Sequence, residues 1–324
     1  MSFSYSDSTP PPNRPDPKSN RLVDLLLLGA EYLRDKGVED ARIDAERLLA
    51  HLLNTDRVGL YMMYDRPLSD EEKAAFRERL RRRANGEPLQ YINGHAAFRD
   101  LKLDVSPGVL IPRPETEQVI DLAKAGVPKG GYDLAADIGC GSGAIALCLL
   151  EEGVAKSVLA VDIANPALTA TRKNAEKLGY VVTGSSSNPQ TVILKKETAE
   201  GEIRTLTIAK IDAFSEQADL PGAPFQLIIS NPPYVTESEY AELAVHIRDH
   251  EPRGALVSGV DGLDAHRALA DLLPRWLEKS GRFFGEIGSM QGEAALSVHS
   301  KWGTEVRLHR DLTGHDRFIE ATLA

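Results

Sequence analysis

The sequence predicts an α/β protein in which a doubly wound, mostly parallel sheet follows a small helical bundle. Three observations carry this. From Tyr132 onward short apolar runs alternate with helical patterns, as in a sheet covered by helices on both faces. The first run passes directly into Gly139-Cys-Gly-Ser-Gly143, a strand-to-helix turn. Ahead of them, leucines recur at helical spacing between 20 and 86.

Composition bounds the classes open to such a chain. Its 324 residues suit two domains, and 42% hydrophobic content is ordinary for a globular protein. A formal net charge of -10 argues against a broad basic face, so no direct nucleic-acid binding is expected. The two cysteines, Cys140 and Cys148, suggest neither a disulfide framework nor a metal set, which points to a reducing, cytoplasmic setting without a bound metal. No apolar run approaches the roughly eighteen residues of a membrane span. Residues 1–19 are rich in Ser, Pro, Asp and Asn and read as a disordered tail.

Residues 20–87 form the helical domain, which lies outside the sheet and is expected to serve substrate recognition. Leu22, Leu25, Leu26 and Leu33 mark one helix, and Ile43, Ala45, Leu48, Leu49, Leu52 and Leu53 the next. Ser69-Asp-Glu-Glu72 is a capping box opening another. Residues 88–114 change character, with prolines and glycines around an alternating run (Phe98, Leu101, Leu103, Val105) that predicts a hairpin linker. The stiff arm Val109 to Glu117 then feeds a helix capped near Thr116.

Residues 115–324 carry the sheet. Its first strand covers 133–138. The second covers 157–161 and ends in Asp162, followed by Asn165 and Pro166 as helix-starting residues. An inserted hairpin is expected over 181–206, with 184–189 as a linker and Arg204 to Ile208 as its second arm. The third strand ends at Asp212. The fourth, Gln226 to Ser230, is stopped by Asn231-Pro-Pro-Tyr234, because two prolines cannot continue a ladder. A fifth strand over 281–287 and a C-terminal pair over 305–309 and 317–322 complete seven.

The chemistry lies at the strand ends. Glycines at 139, 141 and 143 let a ligand approach the backbone beside a helix N-terminus, although Gly143 comes one residue early for a dinucleotide fingerprint. Asp162 is placed for ribose hydroxyls, and Asp212 for an adenine amino group with Phe214 packing on the base. Asn231 and the Pro232 carbonyl form a stiff acceptor pair suited to a planar NH2 group, with the Tyr234 ring beside it. A bare Asn-Pro-Pro is equally a strand-ending turn, and either aspartate equally a helix cap. Three strand ends on one sheet edge favour the ligand reading.

With these motifs stand Leu89-Gln-Tyr-Ile-Asn-Gly94, Leu110-Ile-Pro-Arg-Pro-Glu-Thr-Glu117 and Glu251-Pro-Arg-Gly-Ala-Leu256. Together they make the chain resemble the HemK/PrmC family of peptide-chain release-factor glutamine methyltransferases. The resemblance implies a seven-stranded, Rossmann-like class I methyltransferase domain dependent on S-adenosylmethionine. It implies that Gly139, Gly141, Gly143, Asp162 and Asn231 contact the cofactor; Cys140, Ser142, Asp212 and Ala213 complete the expected set. It further implies that Asn231, Pro232, Pro233 and Tyr234 hold the substrate glutamine, with Asn231, Pro232 and Tyr234 catalytic, and that class 1 release factors, carrying a Gly-Gly-Gln motif, are the partners. The family often has an aromatic residue at the position of Ala213, leaving Phe214 or a neighbour to lie against the adenine.

The rival enzyme is an adenine-amino methyltransferase of nucleic acid, whose mark would be a basic groove. The rival from another class is a silent binding module, whose mark would be a broken glycine turn or a lost Asn231. No side chain near Asn231 to Tyr234 is expected to change protonation, so the rate should be flat across the histidine range.

Overall fold

The computed structural model describes residues 19–185 and 191–324. The expected tail, apart from Ser19, and most of the expected 184–189 linker lie outside the described residues. The chain divides into two compact units, Met1–Asn93 and Gly94–Ala324.

The first unit holds α1 (Leu22–Asp35), α2 (Ala41–Leu52), α3 (Arg57–Met62), α4 (Asp70–Ala84) and α5 (Leu89–Asn93). Leu22, Leu26, Leu33, Leu48 and Leu49 form its core. Ser69 opens α4 with both bonds of the capping box: its hydroxyl accepts from the Glu72 N–H and the Glu72 carboxylate accepts from the Ser69 N–H. Buried Asp44 of α2 accepts from Arg83 of α4 at 2.7 Å, which compensates its desolvation.

The second unit begins with β1 (His95–Phe98) and β2 (Leu101–Asp104), an antiparallel hairpin whose Phe98 and Leu103 enter the core of this unit. A 3-10 turn over Glu115–Glu117 leads into α6 (Gln118–Lys124). Then come β3 (Tyr132–Ile138), α7 (Ala144–Glu151), β4 (Ala155–Asp162), α8 (Asn165–Lys177), β5 (Val181–Ser185), β6 (Thr191–Glu197) and β7 (Ile203–Lys210). After them follow β8 (Phe225–Ser230), α9 (Glu237–Glu242), α10 (Val245–Arg248), α11 (Asp264–Trp276), β9 (Leu277–Glu286), α12 (Gly292–His299), β10 (Gly303–Arg310) and β11 (Asp316–Leu323).

The main sheet has the order β10-β11-β9-β8-β3-β4-β7-β6-β5. Seven of these strands are the expected set. The other two, β5 and β6, extend the sheet edge beyond β7. One expectation is corrected: Arg204 to Ile208 is the expected hairpin arm against β6, but it does not lead into a separate third strand, because it is itself the third strand. β7 pairs parallel with β4 and antiparallel with β6, so one stretch serves both partners.

The apolar run of β8 is buried on two sides, as its composition requires. Leu227 and Ile229 join the core on one face of the sheet, and Ile228 joins the core on the other. The strand order reverses between β3 and β8, so the loops after these two strands open a crevice at the carboxyl edge.

Candidate active site

The glycine turn after β3 owes its shape to three residues at positive φ: Gly139 (76°), Gly141 (55°) and Gly143 (82°). A Cβ on Gly141 would meet nothing within 4 Å, and one on Gly139 only the Asn231 carbonyl at 3.9 Å, so both glycines face open space. At Gly143 the reason is packing, since a Cβ would come within 2.9 Å of the Thr171 methyl. The N–H groups of Gly139 and Cys140 both donate to the Val161 carbonyl at 2.9 Å, which ties the turn to the end of β4. Cys140 and Ser142 are buried in the turn; the Ser142 carbonyl accepts from Asn174 and the Cys140 thiol contacts the Thr171 hydroxyl.

Asp162 ends β4 and accepts from the Gly141 N–H at 3.0 Å and the Ala164 N–H at 2.9 Å. Burial raises its carboxyl above the usual range, against those backbone hydrogen bonds. Asp137, at the end of β3, is completely buried. One oxygen accepts from the Ala146 N–H in α7, and the other has no partner among the described residues. Burial pushes this carboxyl up to about 7, and the nearby Asp162 adds to the shift.

These elements surround a cavity with about 1100 Å³ of empty space, part of it open to solvent. Gly139 to Ser142 and Asp162 line one side; Asp212, Ala213 and Phe214, after β7, line another; Asn231 and Pro233 close it. Asp212 is exposed and accepts from the Phe214 N–H at 3.2 Å, while Ala213 is buried. Gly143 and Pro232 are buried and are not among the residues that line this cavity. A second cavity, with about 580 Å³ of empty space that likewise includes open solvent, is lined by Tyr234, Val235, Leu243, Ile247 and Leu256. It shares Leu110, Arg113, Ala255 and Asn231 with the first. Asn231 thus forms part of the wall common to both.

Residues to which the sequence assigned no role in the site frame this wall. Thr116, expected near a helix cap, instead has its hydroxyl 3.2 Å from Asn231 Nδ2 and 2.5 Å from Glu286 Oε2. Glu286 is the last residue of β9 and is buried; its Oε1 accepts from the Tyr234 hydroxyl at 3.2 Å. Burial pushes Glu286 up to about 7 and is opposed by Thr116, Arg317 and Tyr234. Burial likewise raises the Tyr234 phenol, with Glu286 adding to it. A carboxyl raised by burial therefore touches Tyr234 and lies two hydrogen bonds from Asn231, a titratable neighbour that the sequence did not indicate. On the arm before Thr116, Arg113 donates to buried Glu251 at 2.6 Å, and the Ile111 N–H donates to the same carboxylate at 3.1 Å. That ion pair joins two of the motifs quoted from the sequence. Their spacing of 138 residues gave no sign of it.

Residues 24–94 match the family model described as PrmC N-terminal domain, and residues 122–211 match ribosomal protein L11 methyltransferase (PrmA). The chain is 37% identical over 289 residues to a release factor glutamine methyltransferase of Geobacter sulfurreducens, covering 89% of this chain and 92% of that protein. It is 34% identical to the protein of the same name from Rhodopirellula baltica, covering 92% and 95%. Among solved structures, a methyltransferase from Pyrococcus furiosus aligns over 70% of this chain and 90% of its own, with 17% identity and a TM-score of 0.46.

Proposed function

The chain belongs to the release factor glutamine methyltransferases, and from that membership we propose that the first cavity holds S-adenosylmethionine while the second receives the glutamine side chain. The enzyme methylates the side-chain amide nitrogen of the glutamine in the Gly-Gly-Gln motif of a class 1 release factor. The observation that carries the division of labour is that Asn231 lies on the wall shared by the two cavities.

The residues fit the cofactor. Gly139 and Gly141 leave the turn bare where a ligand would lie against main chain. Asp162 suits ribose hydroxyls, and Asp212 with Phe214 suits the adenine. When bound, S-adenosylmethionine supplies an electrophilic methyl group on a cationic sulfonium.

An amide nitrogen is a poor nucleophile because its lone pair is delocalised, so the protein's task is orientation. Asn231 Oδ1 and the Pro232 carbonyl accept the two hydrogens of the glutamine NH2 and aim its nitrogen across the shared wall. The backbone that carries both is stiff, since Pro232 and Pro233 fix φ at the two positions after Asn231. The Tyr234 ring packs beside the amide. The proton released after transfer passes to water, and no protein base is needed at the outset.

Single-turnover transfer to purified release factor tests this reading. Asn231→Ala should slow transfer by about 10²-fold or more, as removal of one preorganised contact at a reacting centre does. A variant as fast as the parent overturns the assigned role.

A further inference from the structure

We propose that Thr116 is a positioning residue that sets which way round the Asn231 amide lies, and that the Glu286 carboxylate enforces this by fixing the Thr116 hydroxyl. The inference rests on the reading of Asn231 as the acceptor-binding residue. It follows from counting protons along a chain of hydrogen bonds.

An ionised carboxylate can only accept, and a threonine hydroxyl has one hydrogen to give. At 2.5 Å from Glu286 Oε2, Thr116 gives its hydrogen there, in a short hydroxyl-to-carboxylate bond. Towards Asn231 its oxygen can then only accept. The amide must therefore present Nδ2 to Thr116, at 3.2 Å, and Oδ1 on the opposite side. Among the described residues no group bonds Oδ1, which is left for the NH2 of a substrate. Were the amide turned over, two NH2 groups would face each other and the acceptor function would be gone.

The same carboxylate takes the Tyr234 hydroxyl on its other oxygen at 3.2 Å. One side chain at the end of β9 therefore holds both ends of Asn231-Pro-Pro-Tyr234. Glu286 is itself anchored, because its main-chain carbonyl accepts from His266 Nε2 at 2.9 Å. Behind that bond the donors run in one direction. The Trp302 indole N–H donates to His299 Nδ1 at 3.1 Å, so the neutral His299 ring carries its hydrogen on Nε2 and gives it to His266 Nδ1 at 3.0 Å. His266 in turn has its hydrogen on Nε2 for the carbonyl.

Protonation of Glu286 would reverse the logic, since a carboxylic acid can donate to Thr116 and release the hydroxyl hydrogen to face Asn231. The charged and titratable groups around it are Arg317, Glu115, Tyr234 and His266. Because burial raises this carboxyl to about 7, the reversal falls within an accessible range.

The test compares Thr116→Val, Thr116→Ser and Glu286→Gln with the parent, on full-length release factor from pH 6 to 9, alongside titration with S-adenosylhomocysteine. Thr116→Val keeps the shape and removes the hydroxyl, and kcat/KM should fall about 10- to 100-fold, the scale of a misoriented contact. Cofactor affinity should hold, and Thr116→Ser should recover to within about threefold of the parent. The parent rate should drop below about pH 7, and this limb should vanish in Glu286→Gln. Thr116→Val matching the parent, Thr116→Ser as impaired as Thr116→Val, or an unchanged acid limb in Glu286→Gln each overturns the proposal. A parent that transfers no methyl to release factor fails the functional reading instead.

Discussion

Asp162 offers a perturbation whose size can be worked out from the structure. Its carboxylate accepts from the Gly141 and Ala164 N–H groups, at 3.0 and 2.9 Å, while facing the first cavity. Asp162→Ala should therefore do two things. Loss of a charge-assisted hydrogen bond to a ribose hydroxyl costs about 1.5–3 kcal/mol, a ten- to hundredfold rise in Kd. Loss of the acceptor for two turn N–H groups should also lower stability, by about 1–3 kcal/mol. The net stability loss falls below a simple sum, because burial already penalises the ionised carboxylate and raises its pKa. Asp162→Asn, which keeps one acceptor, should lose most of the affinity and less of the stability. Calorimetric titration with S-adenosylmethionine, paired with urea unfolding of the free proteins, separates the two effects. A destabilised Asp162→Ala protein with unaltered Kd would show that the carboxylate serves the turn alone, and would refute the ribose assignment.

Two glycines of the turn should behave differently. Both have positive φ, so each alanine costs about 1–2 kcal/mol of backbone strain, but only at Gly143 does the new Cβ also strike Thr171. Gly143→Ala should therefore lower the melting temperature more than Gly141→Ala, whereas Gly141→Ala should cost more cofactor affinity, as scanning fluorimetry and titration can show. The buried groups also predict a pH effect on stability. His266 and His299 have folded values lowered to about 4 and about 3 by burial, so they weaken the fold as pH falls below the ordinary histidine value. Asp137 and Glu286, raised to about 7, strengthen it as pH falls through 7 and oppose the histidines. Removing one carboxyl with Glu286→Gln should make the variant lose stability relative to the parent by about 1.4 kcal/mol per pH unit between pH 6 and 5, measured by urea unfolding. Parallel stability curves for the two proteins would contradict the buried-carboxyl assignment.

Much of the fold was legible because local pattern and tertiary role coincide. Leu227, Ile228 and Ile229 read as a strand covered on both faces, and they alternate between the two cores. The glycine turn was legible because positive φ favours the residue that lacks a Cβ. What escaped depends on partners distant in sequence. Thr116 and Glu286 lie 170 positions apart, and a threonine beside two glutamates reads as a helix start until β9 places Glu286 against it. Arg204 to Ile208 looked like a hairpin arm because it is one, towards β6, while its other edge also completes the parallel sheet against β4. The buried histidines carried no ligand spacing, and only the packing of α11 and α12 on the sheet aligns their donors towards the Glu286 carbonyl.

The central claim is that this chain places a methyl group on a glutamine amide nitrogen presented by a protein. The most direct measurement incubates the full-length protein with S-adenosylmethionine and a class 1 release factor, then locates the modification by tandem mass spectrometry. The account predicts one added methyl on the side-chain nitrogen of the Gly-Gly-Gln glutamine, greatly reduced with Asn231→Ala. An unmodified glutamine, together with methyl transfer to the exocyclic amine of adenine in a nucleic acid offered in parallel, would contradict it.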